Sequence, residues 1–171
     1  MAQVSTAEIW DWLGEVPDPE IPVVSVTELG IIREVEWKGD TLVVAVTPTY
    51  SGCPATAVID LSIENHLRDK GIEKVQLERR LSPPWTTDWV TKEAREKLRD
   101  YGIAPPVDGT ASGGPMAARA ARMAGRGNLV IECPRCGSGQ TEKISQFGST
   151  PCKASYRCTD CLEPFDYFKC H

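Results

Sequence analysis

Two cysteine knuckles near the end of the chain, Cys133-Pro134-Arg135-Cys136-Gly137 and Cys158-Thr159-Asp160-Cys161, constrain its folding more than any other feature. Each C-x-x-C turn can present two thiolates to one ion. Two such turns roughly 20 residues apart supply the four soft ligands that tetrahedral zinc prefers. Pro134 and Gly137 favour a tight turn that frees backbone amides for the sulfurs. The competing reading is a pair of redox dithiols or disulfides. The pattern predicts a small zinc ribbon in which the metal replaces most of a core. Four thiolates leave no open position, so Cys133, Cys136, Cys158 and Cys161 form a structural centre in this reading, and any chemistry lies elsewhere.

A chain of 171 residues allows one ordinary domain plus such an appendage, and about 100 residues can bury a true core. The formal charge of −5 and pI of about 5.1 argue against bulk electrostatic binding of nucleic acid. No apolar run approaches the roughly 20 residues that span a bilayer, and the N-terminus lacks a signal-peptide pattern. Seven cysteines, an odd number with knuckle spacing, suit a reducing compartment. A soluble cytoplasmic protein, binding neither membrane nor nucleic acid, is expected.

Along the chain, Ser5 and Glu8 have capping-box spacing and predict a helix over 6–14 that buries Ile9, Trp10 and Leu13. The prolines of Asp18-Pro19-Glu20-Ile21-Pro22 then impose a stiff loop. Strand-like runs over 31–38 and 41–47 flank Gly39-Asp40, as in a hairpin. A helix follows Cys53-Pro54, with Val58, Leu61 and Leu67 on its apolar face and Gly71 as its stop. A third strand is expected over 72–81 and a further helix from Thr91 to Tyr101. This order fits an α/β domain with a small mixed sheet, because a helical crossover lets the third strand lie beside the hairpin. From 104 to 128 Pro, Gly, Ala and Ser dominate and little remains to bury. The expected organisation is therefore a domain over 1–103, a flexible linker over 104–128 and the ribbon over 129–171. Within the linker, residues 116–124 could form a short basic helix exposing Arg119 and Arg122, though a solvated spacer is the simpler reading.

Cys53 stands far from the ribbon. With Pro54 at the first helical position it would occupy the N-cap, where the helix dipole and free amides lower a thiol's pKa. Such a thiolate could be a nucleophile, a redox thiol or a metal ligand, and the alternative is a small buried side chain at a helix entry. Asp18 and Glu20 lie in the proline-bracketed loop, where the plain reading is surface charge. Thr47 and Thr49 lead toward Cys53, and their hydroxyls could line its pocket or simply reflect β-propensity. Cys152 and Cys170 exceed the four that zinc needs; buried ribbon residues, a redox pair or ligands of a second metal all fit. His66 reads as an ordinary helix residue. Trp85 and Trp89, in Pro84-Trp85-Thr86-Thr87-Asp88-Trp89, could anchor a partner or cover the core edge. Phe165-Asp166-Tyr167-Phe168 should pack the ribbon around its metal.

The stretch from Asp18-Pro19-Glu20-Ile21-Pro22 to Leu29-Gly30-Ile31-Ile32, followed by Thr47-Pro48-Thr49-Tyr50-Ser51-Gly52-Cys53-Pro54, resembles the metal–sulfur cluster assembly family, which includes SufT-like proteins. The likeness covers about residues 6 to 103. The ribbon, the tryptophan segment and the Phe168-Lys169-Cys170 ending further resemble the PaaD-like (PaaJ-like) accessory proteins of the phenylacetyl-CoA epoxidase system. The resemblance implies that Cys53 is the signature cysteine and that Asp18 and Glu20 belong to the signature acidic loop. It also implies a maturation role in aerobic phenylacetate degradation, with zinc structural and iron or an iron–sulfur cluster held in transit. The implied partners are the reductase and oxygenase components of the epoxidase, with cluster-scaffold proteins and a second copy of the chain as further candidates. One cysteine cannot encage a cluster, so other ligands must come from a second copy, a partner, Asp18, Glu20, or Cys152 and Cys170. The alternative is a structural or regulatory subunit of the epoxidase complex.

Overall fold

The computed structural model describes residues 3–50, 52–107 and 130–169. The linker beyond residue 107 with its expected basic helix, and Cys170 with His171, lie outside the described residues. The chain packs as two units, Met1–Trp85 and Thr86–His171.

The first unit opens with helix α1, Thr6–Gly14, started by a complete capping box. The Glu8 amide donates to Ser5 Oγ at 3.2 Å, and the Ser5 amide donates back to the Glu8 carboxylate. Ile9 and Leu13, four residues apart, share one face and are fully buried. Trp10 does not join them. It lies about 100° around the helix from Ile9 and stays 36% exposed, contrary to the expectation from sequence.

Strands β1, Ile32–Lys38, and β2, Thr41–Val46, form an antiparallel hairpin whose turn uses the left-handed conformation of Gly39. Helix α2, Thr56–Asp69, crosses over so that β3, Val75–Arg79, pairs parallel with β2. The order β1-β2-β3 places β2 at the centre of the sheet, and all but its first residue are buried. The turn after α2 falls at Gly71, whose φ is +95°. The buried face of α2 carries Ile59, Ile63 and Leu67. Val58 and Leu61, expected inside, are 50% and 56% exposed. Val58, Ile59, Leu61 and Ile63 span two adjacent stripes, and the packing selects the i, i+4, i+8 row.

The second unit begins with a 3-10 turn, Thr87–Trp89, and helix α3, Lys92–Asp100, whose N-cap Thr91 accepts from the Ala94 amide at 3.1 Å. Strands β4, Ile103–Ala104, β5, Thr141–Ser145, β6, Lys153–Cys158, and β7, Pro164–Phe168, form one sheet in the order β4-β7-β6-β5. The β4–β7 pairing is parallel, and the others are antiparallel. Residues 86–107, read from sequence mainly as the end of the first domain, therefore pack with the ribbon. Helix α3 buries only Ala94 and Leu98, and so short an apolar stripe does not say which core it joins. The ribbon core gathers Ala104, Ile131, Ala154, Phe165 and Tyr167 around Cys133 and Cys158. The expected packing of the Phe165–Phe168 stretch holds for Phe165, Tyr167 and Phe168, all buried.

Candidate functional site: the four-cysteine centre and the Cys53 loop

Each knuckle closes on backbone hydrogen bonds. The Gly137 amide donates to the Cys133 carbonyl at 2.9 Å, and the Cys158 amide donates to the Glu163 carbonyl at 2.9 Å. The residue after the second cysteine is left-handed in both: Gly137 at φ +74° and Leu162 at φ +63°. Leu162 adopts a conformation that usually favours glycine, and its side chain is exposed. Sequence reasoning missed it, although its position matches that of Gly137 in the first knuckle.

The four sulfurs converge. Cys133 Sγ lies 3.7 Å from Cys161 Sγ, and Cys136 Sγ lies 3.6 Å from Cys158 Sγ. All four lie within 4.8 Å of one another. A tetrahedron with metal–sulfur bonds of about 2.3 Å has edges of about 3.8 Å, so the set fits an ion of zinc's size. The electrostatics point the same way. The Cys161 backbone amide lowers the Cys158 thiol to about 7 against the pull of burial, aided by the Asp160 amide and the Cys136 and Cys161 sulfurs. The Ser138 amide acts to lower Cys136, but its contacts with Cys161, Cys158 and Cys133 and its burial prevail and push it up to about 12. A divalent cation bound among the four sulfurs would favour their ionised form. Across the rim, Arg135 pairs with Glu163 at 3.0 Å and Ser138 with Asp160, tying the first knuckle to the second.

Residues 47–55 join β2 to α2 and carry Cys53. Thr47 is buried and its amide donates to the Ile31 carbonyl at 2.8 Å, while Thr49 and Cys53 are half-buried. The Cys53 carbonyl accepts from the Thr56 amide at 3.2 Å and from Thr56 Oγ1 at 2.9 Å. Cys53 is not the N-cap. Ala55 holds that position without a side-chain cap. Pro54 takes the second position of a turn over 53–56, which suits its fixed φ as well as the first helical position does.

The acidic loop is built around Asp18, which is buried. Its Oδ1 accepts from the amides of Glu20 at 2.9 Å and Ile21 at 2.8 Å, and its own amide donates to the Val24 carbonyl at 2.9 Å. Glu20 is half-buried beside it. A reciprocal pair follows, in which the Ser25 amide donates to Glu28 Oε2 and the Glu28 amide to Ser25 Oγ. The Ile31–Thr47 bond joins the end of this loop to the start of the Cys53 segment. Among the described residues, however, the four-cysteine centre is the only group of three or more candidate metal ligands. Cys53 does not combine with Asp18 and Glu20 into a three-ligand set.

Trp85 is 6% exposed, and its indole N–H donates to the Leu29 carbonyl at 2.8 Å. Of the two readings, partner anchor or cover for the core edge, this burial fits the second; Trp85 braces the acidic loop, and its polar tip found a backbone acceptor. Trp85→Phe keeps most of the apolar area but leaves that carbonyl unpaired, an expected loss of about 1–2 kcal/mol, measurable by urea unfolding of the full chain. Trp89 remains half-buried in the 3-10 turn. Cys152 is buried, with Thr150 Oγ1 3.0 Å from its sulfur and its carbonyl taking the Lys169 amide. Its proposed companion Cys170 lies outside the described residues. His66 is half-buried, with Nε2 3.2 Å from Glu15 Oε2, which also binds Lys70.

Two family models match the chain: the iron-sulfur cluster assembly protein model over residues 6–77 and the PaaD zinc beta ribbon domain model over residues 117–169. An Escherichia coli (strain K12) protein named as a component of 1,2-phenylacetyl-CoA epoxidase is 48% identical over 163 residues, covering 95% of this chain and 92% of that one. The chain belongs to the PaaD family. In this PaaD-family chain, then, a cluster-assembly sequence precedes a zinc ribbon. The fold of the first part is seen in a crystal structure of a DUF59 domain from Bacillus anthracis. That structure has a TM-score of 0.50 and 23% identity over 54% of this chain and 89% of that one. A conserved hypothetical protein from Thermotoga maritima aligns with a TM-score of 0.49 at 27% identity, covering 57% of this chain and 98% of that one.

Proposed function

We propose that this chain is an accessory maturation factor of the phenylacetyl-CoA epoxidase system in aerobic phenylacetate degradation, assisting insertion of an iron–sulfur cluster or iron into the reductase or oxygenase. The observation that carries this reading is the joining, in one chain, of a cluster-assembly match containing Asp18, Glu20, Thr47, Thr49 and Cys53 to a likeness, over 95% of the chain, with a protein named as an epoxidase component. In this role the half-buried Cys53 thiol is the residue that holds the cargo. Its carbonyl is held by Thr56, and the Thr47–Ile31 bond ties its segment to the end of the loop built around Asp18. Because the described chain gathers no second and third ligand around Cys53, the remaining ligands come from the receiving protein, a scaffold protein or a second copy. The four-cysteine centre holds zinc and serves structure. A reducing cytoplasm keeps both thiol sites competent.

The experiment is single-turnover reconstitution of the apo-reductase with labile iron and sulfide in the presence of wild-type or Cys53→Ser chain. Faster or fuller cluster recovery with the wild type alone supports the reading; equal recovery with both contradicts it. The second reading, a structural or regulatory role within the complex, draws on the relative's name as an epoxidase component. It expects stoichiometric co-purification that is indifferent to Cys53→Ser, with the half-buried Trp89 a better contact than the buried Trp85.

A further inference from the structure

The zinc ribbon family model begins at residue 117, yet the ribbon core reaches back to Ala104 and Val107. Strand β4 sets Ile103 opposite Asp166 and Ala104 opposite Tyr167. Ala104 lies in the same buried cluster as Cys133 and Cys158, two of the four centre cysteines, with Val107 packed against it. Strand β7, the partner of β4, starts at Pro164, just past Cys161 and the left-handed Leu162 of the second knuckle. Arg95 ties the rest of the segment to the stretch after β4, its guanidinium donating to the Thr87, Val90 and Pro106 carbonyls. Helix α3 is nine residues long and buries only Ala94 and Leu98, and helices that short do not persist alone in water. Two ladder pairs are no independent sheet either.

We infer that metal binding at the four cysteines fastens residues 87–107 to the ribbon, and that metal loss releases them together with Trp89. This rests on the reading of the four-cysteine site as a metal centre. The metal fixes the knuckles, the knuckles fix β6 and β7, and β7 with its core supplies the docking face of β4. The coupling is reciprocal: what the metal does for the segment, the segment does for metal affinity. A tryptophan-bearing segment whose order depends on metal makes its surface conditional on a loaded ribbon.

The test is hydrogen exchange on the full chain, zinc-loaded and after chelation under reducing conditions, with zinc content measured separately. Peptides covering 92–107 are expected to lose protection together with 141–168, while 32–79 keep theirs. Protection over 92–107 that survives metal removal while 141–168 loses it would overturn the inference, as would a ribbon that keeps all protection. A chain that never carries zinc would instead overturn the metal-centre reading. As an independent check, Ala104→Asp should weaken zinc binding at least about tenfold in competition with a chromophoric chelator. Unchanged affinity in that variant would also count against the inference.

Discussion

Cys158→Ser is expected to take zinc content from one ion per chain to nearly none and to unfold the ribbon while the first unit stays folded. Cys158 is fully buried at the centre of the ribbon core and is the cysteine whose thiol the Cys161 and Asp160 amides bring down to about 7. A serine there offers a hard, poorly ionised oxygen to a soft site, and it leaves a hydroxyl among Phe165, Tyr167 and Ala154. Metal analysis and near-ultraviolet circular dichroism of the purified variant check both halves of the prediction. Cys136 and Cys161 are exposed at the rim, so Cys161→Ser should retain more residual structure than Cys158→Ser when zinc is supplied in excess.

Arg95→Ala should destabilise the second unit by about 2–3 kcal/mol, the range for losing charged hydrogen bonds to partly buried carbonyls. The guanidinium of Arg95 donates to the Thr87 carbonyl at 2.8 Å, to the Val90 carbonyl at 3.4 Å and to the Pro106 carbonyl. It thereby closes the 3-10 turn and the segment after β4 around α3. Lysine presents a single compact head where arginine presents a planar fork, so Arg95→Lys should recover less than half of the loss. Denaturant unfolding of the zinc-loaded chain measures it. A change below about 0.5 kcal/mol, the scale of an ordinary surface substitution, would mean that the three carbonyls are satisfied by water without cost.

Features written in local chemistry were legible from the sequence. Ser5 with Glu8 fixed the start of α1, Gly39 the hairpin turn, Gly71 the end of α2, Thr91 the start of α3, and the two knuckles the sulfur cluster. Each needs only neighbours along the chain. Features that depend on tertiary choice were not legible. Val58 and Leu61 are as apolar as Ile59 and Ile63, so nothing local told which stripe of α2 meets the sheet. Pro54 suits a turn as well as a first helical turn, which is why Cys53 lies two residues before the N-cap. Strand β4 is two residues long, too short for any alternation, and only its pairing with β7 reveals it. Trp85 gave no sign that the Leu29 carbonyl awaited its N–H. For the candidate site, the sequence pointed to Asp18, Glu20 and Cys53, and the structure shows Asp18 Oδ1 accepting from two amides of its own loop.

With Asp18 engaged in its loop, the proposed cargo binding would rest on Cys53 and on ligands from its partners. The most direct measurement is iron and acid-labile sulfide per epoxidase reductase, purified anaerobically from cells expressing the epoxidase proteins with the wild-type chain, with Cys53→Ser, or without the chain. Iron and sulfide are predicted to fall together in the last two cases while reductase abundance is unchanged. Full iron and sulfide in all three, with epoxidation failing only when the chain is absent, would contradict cluster delivery to the reductase and leave the oxygenase or a structural role.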